Sequence, residues 1–533
     1  MDFKLSKSIA ELEKENIKFI WQPPNIYNDV LDNNIWLVYG RKGSGKSTLV
    51  DYLSTSNGNK KVIIIRPRKN ELFRKIKAAM PSKLNFHIDE TIAFILDFVL
   101  MSHLMKEILL DEGYKGVNNN NIDIIHKFLM SHGLLSGNIF QKAIKFLGSL
   151  TGGEFVIKPN LPNLYDNVSS EPNFSDAKEA LYDHLLKNKL DRLICIDDID
   201  EIGFSYSPID KVLINSLLIF MVRTNISSLE RKIGLRILIT TPSELFFQSS
   251  LWGGDWVSAK SRCLQWIEME QLQGLVNKRI AIELKVKKSN PRFPDDKYSI
   301  ETEHTWHKIF PSSIRNKLDK SEPTFQYIVR HTYYTPRQVL DLCDFILNKF
   351  ETKKISTSDI VKLDIYVSSQ IIQDAVESFT FRLKKDLIDL YSKLYIGLEE
   401  VFQSFQKRPN IWYRNQLLNF VKEKNLSIIN IENEKEYNNE QLIEKLQNIG
   451  FFGLGTRSIE EVAGTIKYDM RFSFLEEFPT FKSWEIAAIS PLFYDSYDIR
   501  PLDNVIIIPH NKLVIPLSSE HKLVNYNHVH NNF

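Results

Sequence analysis

The stretch that most constrains this chain reads IWLVYGRKGSGKSTLVDYL, over residues 35–53. An apolar run of strand character (residues 35–39) breaks at Gly40, passes Gly43 and Gly45, and resumes as a helical pattern through Leu49 and Leu53. A strand that turns so sharply into a helix brings several backbone N–H groups onto one spot, and glycines permit the turn. The spacing fits G-x-x-x-x-G-K-[ST], with Gly40, Gly45, Lys46 and Ser47 in the fixed places. Gly40, Arg41, Lys42, Gly43, Ser44, Gly45, Lys46, Ser47 and Thr48 are therefore expected to cradle the phosphates of ATP. Lys46 is placed on the β- and γ-phosphates as a point charge and the Ser47 hydroxyl on Mg2+, while Thr48 packs or caps the helix. A glycine-rich structural turn is the competing reading. The strand before and the helix after favour the phosphate site.

A phosphate loop needs a second strand that carries a carboxylate, because magnesium must be held from the protein side and an attacking water oriented. LDRLICIDDIDEIG supplies it: residues 193–196 form an apolar run typical of a buried parallel strand, ending in Asp197 and Asp198. Asp197 is expected to contact the metal, Asp198 to act as base or water-positioning group, and Asp200 and Glu201 to face solvent. The gap between Lys46 and Asp197 is too long for one strand and one helix. It opens with the strand VIIIRP and is expected to hold a helical insertion over about residues 70–174 that covers one edge of the sheet. LRILITTPSELF then reads as a strand ending on Thr240 and Thr241. Threonine there either bonds the attacking water or the γ-phosphate, with Thr241 the candidate, or caps the helix from Glu244. VLINSLLIFMVRTN reads as a core helix with Arg223 at its solvent end.

At 533 residues, with 43% hydrophobic and 25% charged, the chain is globular in composition and long enough for several domains. Its formal charge of +2 argues against a protein devoted to coating nucleic acid, although a local basic surface can hide in a neutral total. The three cysteines are far apart, so neither a disulfide framework nor a zinc site is indicated, and a reducing cytoplasm fits. The opening MDFKLSKSIAELEKENIKF reads as an amphipathic helix and not as a secretory leader. TIAFILDFVLMSHLM is interrupted by Asp97 and His103, too short to span a bilayer, and is expected to be a buried helix; no membrane association is expected.

The order of phosphate loop, carboxylate strand and polar-ended strand resembles the AAA+ and STAND branches of the P-loop ATPases. SRCLQWIEMEQLQGLVNKRI is similar to the segment after the sensor strand in clamp-loader and origin-recognition ATPases, which implies an arginine finger at Arg262 that reaches a neighbouring subunit; a surface arginine is the alternative. HTYYTPRQVLDLCDFILNKF resembles the start of a sensor-2 helix in a helical lid, which implies that Arg337 faces the nucleotide. Together with GRKGSGKSTLVDYL, the double aspartate and the segment around Trp266, these resemble a group of stand-alone bacterial ATPases often encoded beside mobile-element and phage-defence genes. The likeness covers roughly residues 15–390. It departs in one place: Thr240 and Thr241 stand where many STAND proteins carry an arginine.

The expected fold is α/β: a P-loop NTPase parallel sheet with a helical insertion, a helical lid and a C-terminal winged-helix-like domain. The expected boundaries are 1–287 for the ATPase core, 288–362 for the lid and 363–533 for a helical connector and winged helix. EQLIEKLQNIGFFGLG followed by TIKYDMRFSFL gives that last domain its helix-then-hairpin order, and VIIIPHNKLVIPL is expected to add a final hairpin. Basic residues near it are few (Arg457, Lys467, Arg471), which favours a protein partner over DNA. His510, His521, His528 and His530 read as a solvated tail. The resemblance thus implies an ATP- and Mg2+-dependent switch ATPase acting through a protein effector or homo-oligomer, with an anti-phage role among its outputs. The alternatives are a DNA-binding ATPase of origin-recognition type and an ATP site that serves only as a structural clamp.

Overall fold

A computed structural model describes residues 5, 17, 21, 26–32, 34–56, 60–66, 71–80, 88–112, 120–150, 173–199, 208–247, 255–283, 305–351, 367–431, 433–458, 465–476, 483–502 and 505–516. It divides into two compact units: Asn25–Gly40 with Lys46–Leu264, and Met1–Pro24 with Arg41–Gly45 and Gln265–Phe533. The expected opening helix lies almost wholly outside the described residues, as do the boundaries at 287 and 362.

The unit that ends at Leu264 is built on a parallel five-stranded sheet. Its strands are β1 (Leu37–Gly40), β2 (Lys60–Ile65), β3 (Asp191–Ile196), β4 (Leu235–Pro242) and β5 (Ser261–Cys263), in the order β2-β3-β4-β1-β5. β4 is buried at every position and β3 at all but its first, because helices cover both faces of a parallel sheet, and this produces continuous apolar runs. β4 is longer than expected and reaches Pro242. β5 was not foreseen: its three residues carry too little apolar pattern, and only pairing with β1 defines it. Register aligns the strand ends. Ile65 pairs with Ile196, and Ile196 with Ile239, so Arg66, Asp197 and Thr240 come next at one level across three neighbouring strands.

The helices Glu71–Ala79, Ile88–Glu112, Asn120–Ser131, Ile139–Leu150 and Phe174–Lys187 lie between β2 and β3, where the insertion was expected. Most of the long helix Ile88–Glu112 is buried, including the segment foreseen as a core helix. Its two interruptions are accommodated: Asp97 pairs with Lys178, and the His103 ring packs on Phe140. Near its end, Glu107 and Asp111 both pair with Lys61 of edge strand β2. Between β3 and β4, the helix Pro208–Glu230 sends Asn225 onto β4, where its side chain accepts from the Ile237 N–H (2.7 Å) and donates to the Ile237 carbonyl (2.9 Å). Among the described residues, Ile209–Glu230 is long and apolar enough to cross a bilayer, yet 61% of its most apolar window is buried inside the protein, as in a core helix.

In the other unit, Met269–Glu283 packs with the helices Thr324–Arg330 and Pro336–Glu351, and Ser369–Tyr391 continues the helical layer. Met269–Glu283 thus groups with the expected lid and not with the parallel sheet, because its apolar face is buried against the lid helices. β6 (Ser313–Arg315) and β7 (Ser321–Pro323) form a hairpin. Two antiparallel sheets come after it: a small one, β11 (Glu436–Asn438), β10 (Ser427–Asn430) and β8 (Tyr395–Ile396), and a five-stranded one, β15-β13-β12-β14-β9. The expected helix and hairpin are present as Asn439–Ile449, then β12 (Phe452–Arg457) paired with β13 (Thr465–Phe472). Gly450 ends the helix in the left-handed conformation, φ 94°. The hairpin sits in a larger sheet than a strand pair, with β14 (Ile486–Ile489) and β9 (Ile411–Tyr413) beside β12. The final segment makes no hairpin of its own. Only β15 (Leu513–Pro516) is a strand, and it pairs with β13. His510 lies in the turn before it; the other three histidines lie outside the described residues.

Candidate functional site

At the carboxyl end of the parallel sheet the level row of residues becomes a charged cluster. Lys46 and Ser47 open the helix Lys46–Ser56, and the Lys46 ammonium donates to the Gly40 carbonyl at 2.8 Å. The Ser47 hydroxyl lies 2.8 Å from Asp198 Oδ1 and 3.3 Å from Asp197 Oδ1. Thr240 donates its hydroxyl to the same Asp197 oxygen. Arg66 closes the cluster: its Nε is 3.2 Å from Asp197 Oδ2 and 3.4 Å from Asp198 Oδ2, and its Nη2 is 2.9 Å from Asp51 Oδ2. Asp51, Arg66 and Asp197 are all buried, whereas Asp198 keeps a quarter of its side chain exposed. Asp198 also stands in the left-handed region, φ 57°, so the backbone re-aims immediately after the strand.

Burial drives the electrostatics. It pushes the Asp197 carboxyl above the usual aspartate range, against the bond from Thr240 and the pull of Arg66. Burial also acts to lower the Arg66 guanidinium, but Asp197 and Asp51 outweigh it and hold that cation above the ordinary arginine value. Ser47 Oγ and one oxygen from each aspartate converge on one region, a hard-oxygen donor set of the kind Mg2+ takes. Among the described residues no group of three or more His, Cys, Asp or Glu could hold a metal by itself, so a metal here would draw further oxygens from water and phosphates.

The glycine loop belongs to the other compact unit, and its contacts there are dense. Gly43 and Gly45 have φ of 87° and 98°, a region closed to most side chains, and a Cβ built on Gly43 would lie 2.9 Å from the Cβ of Arg337. The Arg337 N–H reaches the Gly43 carbonyl at 3.3 Å, so the Thr-Pro-Arg start of the helix Pro336–Glu351 docks on the loop by its backbone. Trp266, buried, donates its indole N–H to the Ser44 carbonyl at 2.8 Å. The Ser44 hydroxyl is buried with no hydrogen-bond partner among the described residues. Arg41 points the other way. Its Nη2 donates to the Asn448 carbonyl (2.8 Å) and the Ser473 hydroxyl (2.7 Å), its Nη1 to the Ile449 carbonyl (3.3 Å), and it lies over the Tyr333 ring.

The sequence-derived residues therefore fall into groups. Ser47, Asp197 and Asp198 meet in one cluster, and Lys46, the residue before Ser47, bonds the Gly40 carbonyl. Arg41, Gly43, Ser44 and Gly45 make the loop, with the Arg41 side chain committed to a helix end; Lys42 is exposed and Thr48 half-buried in the first helical turn. Thr240, and not Thr241, reaches the carboxylates: neighbouring residues of a strand face opposite sides, and the Thr241 hydroxyl turns to the Pro242 carbonyl. Nor does Thr241 cap a helix, since Ser243–Phe246 starts without a side-chain cap. Arg262 is exposed on β5 and donates to the Ser261 carbonyl. Arg66 and Asp51 were missed. Their signals were an arginine directly after the apolar run of β2 and an acidic residue on an otherwise buried helix face. Asp200 and Glu201 lie outside the described residues.

A protein-family model described as a FunZ-associated C-terminal helical domain matches residues 270–376, the stretch that holds Met269–Glu283 from its second residue, the Thr-Pro-Arg helix and the start of Ser369–Tyr391. No curated protein matches the chain.

Proposed function

We propose that this chain is an ATP-binding, slowly hydrolysing switch ATPase of the AAA+/STAND type, on a P-loop fold, whose output passes through a protein partner or a second copy of itself in an anti-phage setting. The observation that carries the reading is the meeting of the Ser47 hydroxyl with Asp197 Oδ1 and Asp198 Oδ1, one residue beyond the lysine of a glycine loop. Two segments distant in sequence have no structural need to bring a hydroxyl and two carboxylates together at the ends of parallel strands. In such sheets ligands collect at the carboxyl ends of the strands.

Backbone N–H groups of the loop and the Lys46 ammonium would bind and neutralise the phosphates, and Ser47 and Asp197 would hold Mg2+. A metal held by Ser47 and Asp197 would supply positive charge against the charge that develops on the phosphates. Asp198, the more exposed of the two aspartates, has the access to water that a water-orienting base requires. The contact of the Arg337 N–H with the Gly43 carbonyl supports the switch: a shift of the loop is felt at the start of that helix. Exposed Arg262 is available to a neighbouring copy, where we place its role.

The test is nucleotide binding and ATP hydrolysis by the purified chain, with and without duplex DNA, and with Asp198→Asn as the blank. Slow turnover that ignores DNA and disappears in the variant agrees with the proposal. Stimulation of several fold by DNA transfers the reading to a DNA-loading ATPase, and failure of the wild type to bind ATP with Mg2+ refutes it.

A further inference from the structure

We propose that Arg66 is an internal counter-cation of the nucleotide site: it occupies the electrostatic place of a metal between Asp197 and Asp198, so that a divalent cation enters only together with the phosphates of a nucleotide. The inference deepens the nucleotide-site reading above and rests on it.

Three observations carry it. The first is position. Arg66 Nε lies 3.2 Å and 3.4 Å from the Oδ2 atoms of Asp197 and Asp198, while their Oδ1 atoms turn to Ser47. Each aspartate is thus shared between a fixed guanidinium and the region where a metal would bind. The second is anchorage. Arg66 is 5% exposed, and its Nη2 is gripped by Asp51 on the helix that succeeds the phosphate loop, so the cation cannot swing away from the carboxylates. The third is charge. Asp51, Asp197 and Asp198 all face Arg66, whose charge offsets part of the negative potential that would draw a divalent cation to the two strand-end aspartates. A nucleotide triphosphate adds several negative charges beside Ser47 and Lys46, and with them the cluster can accept Mg2+. A purely structural Arg66 would make no difference to metal uptake without nucleotide. A counter-cation makes that uptake weak.

The experiment is Mn2+ binding to the nucleotide-free full-length chain at neutral pH, read by the EPR signal of free Mn2+, for wild type, Arg66→Lys and Arg66→Gln. Wild type and the lysine variant, both carrying the charge, should take up Mn2+ weakly, and the glutamine variant at least tenfold more tightly. Arg66→Gln leaves Asp51 buried without this ion pair, so the double variant Asp51→Asn with Arg66→Gln, which removes the buried pair together, serves if the single variant does not fold. It too should bind Mn2+ more tightly than wild type, since Asp51 faces the far end of the guanidinium. A folded Arg66→Gln or double variant no tighter than wild type overturns the proposal, as does a lysine variant that behaves like glutamine. Binding of a fluorescent ATP analogue by the wild type, measured in parallel with Mg2+, separates the two readings: if it is present and Mn2+ uptake is unchanged by the variants, only the role of Arg66 fails.

Discussion

Replacing Gly43 with alanine should loosen the start of the helix Pro336–Glu351, and the size of the effect comes from two separable costs. The backbone there sits at φ 87°, where an L-residue loses roughly 1–2 kcal/mol. The added Cβ would also lie 2.9 Å from the Arg337 Cβ, an atom fixed to the helix backbone and unable to rotate away. Relief requires the loop or the helix start to move, which costs overpacked sites about 1–3 kcal/mol. Gly133 is the control, with φ 65° and nothing within 4 Å of its built Cβ, so alanine there carries the backbone cost alone. Native-state hydrogen exchange measured over residues 336–342 is the assay. Gly43→Ala should lower protection of these amides by roughly 5- to 150-fold, the equivalent of the steric cost, and Gly133→Ala should leave them unchanged. Equal protection in wild type and Gly43→Ala would show that the helix start does not rest on the loop, and with it the structural support for a switch would go.

Asn225→Ala should cost about 2–4 kcal/mol, because it leaves both the N–H and the carbonyl of Ile237 in a buried strand without their side-chain partner; chemical denaturation checks this, and a loss below about 1 kcal/mol would count against the bracket. Stability should fall on mild acidification partly through His331. Burial first, and the Arg330 charge next, hold this histidine well below its usual 6.5, so the unfolded chain takes up a proton that the folded one refuses. Its contribution is complete above pH 6.5 and is lost as pH falls below that value towards the folded pKa, at up to about 1.4 kcal/mol per pH unit. His331→Gln should flatten that part of the profile in thermal melts between about pH 7.5 and 5, and an unchanged slope would exclude the residue as a source.

The parallel sheet was legible because each of its main strands carries its own signal: residues 35–39, 193–196 and 237–239 are apolar runs that end in glycine, aspartate or threonine. Asp197 and Asp198 stood out for the same reason, since they follow such a run, and Lys46 and Ser47 through the glycine spacing before them. What escaped depends on register. Whether Thr240 or Thr241 faces Asp197 is a matter of parity, and parity is set by the pairing of Ile196 with Ile239, which no single segment encodes. Arg66 and Asp51 looked like ordinary charges at the ends and edges of elements, because Arg66 meets Asp197, remote in sequence, and Asp51 meets Arg66 from the preceding helix. The C-terminal sheet was foreseen only as a strand pair and a final hairpin, since its order β15-β13-β12-β14-β9 joins short strands from distant segments. β5 is too short and polar to announce itself.

Arg41 gives the loop an obligation outside the proposed phosphate site. Its guanidinium closes the carboxyl end of the helix Asn439–Ile449 through the carbonyls of Asn448 and Ile449, and it touches Ser473 just beyond β13. The loop and that helix end are therefore in direct contact, and any coupling between them runs in both directions. Whatever factor a phosphate ligand imposes on the helix end, a molecule bound at the β12–β13 hairpin imposes on the affinity of the loop. If the loop binds phosphate as proposed, an event at the C-terminal sheet then bears on that affinity without touching the nucleotide.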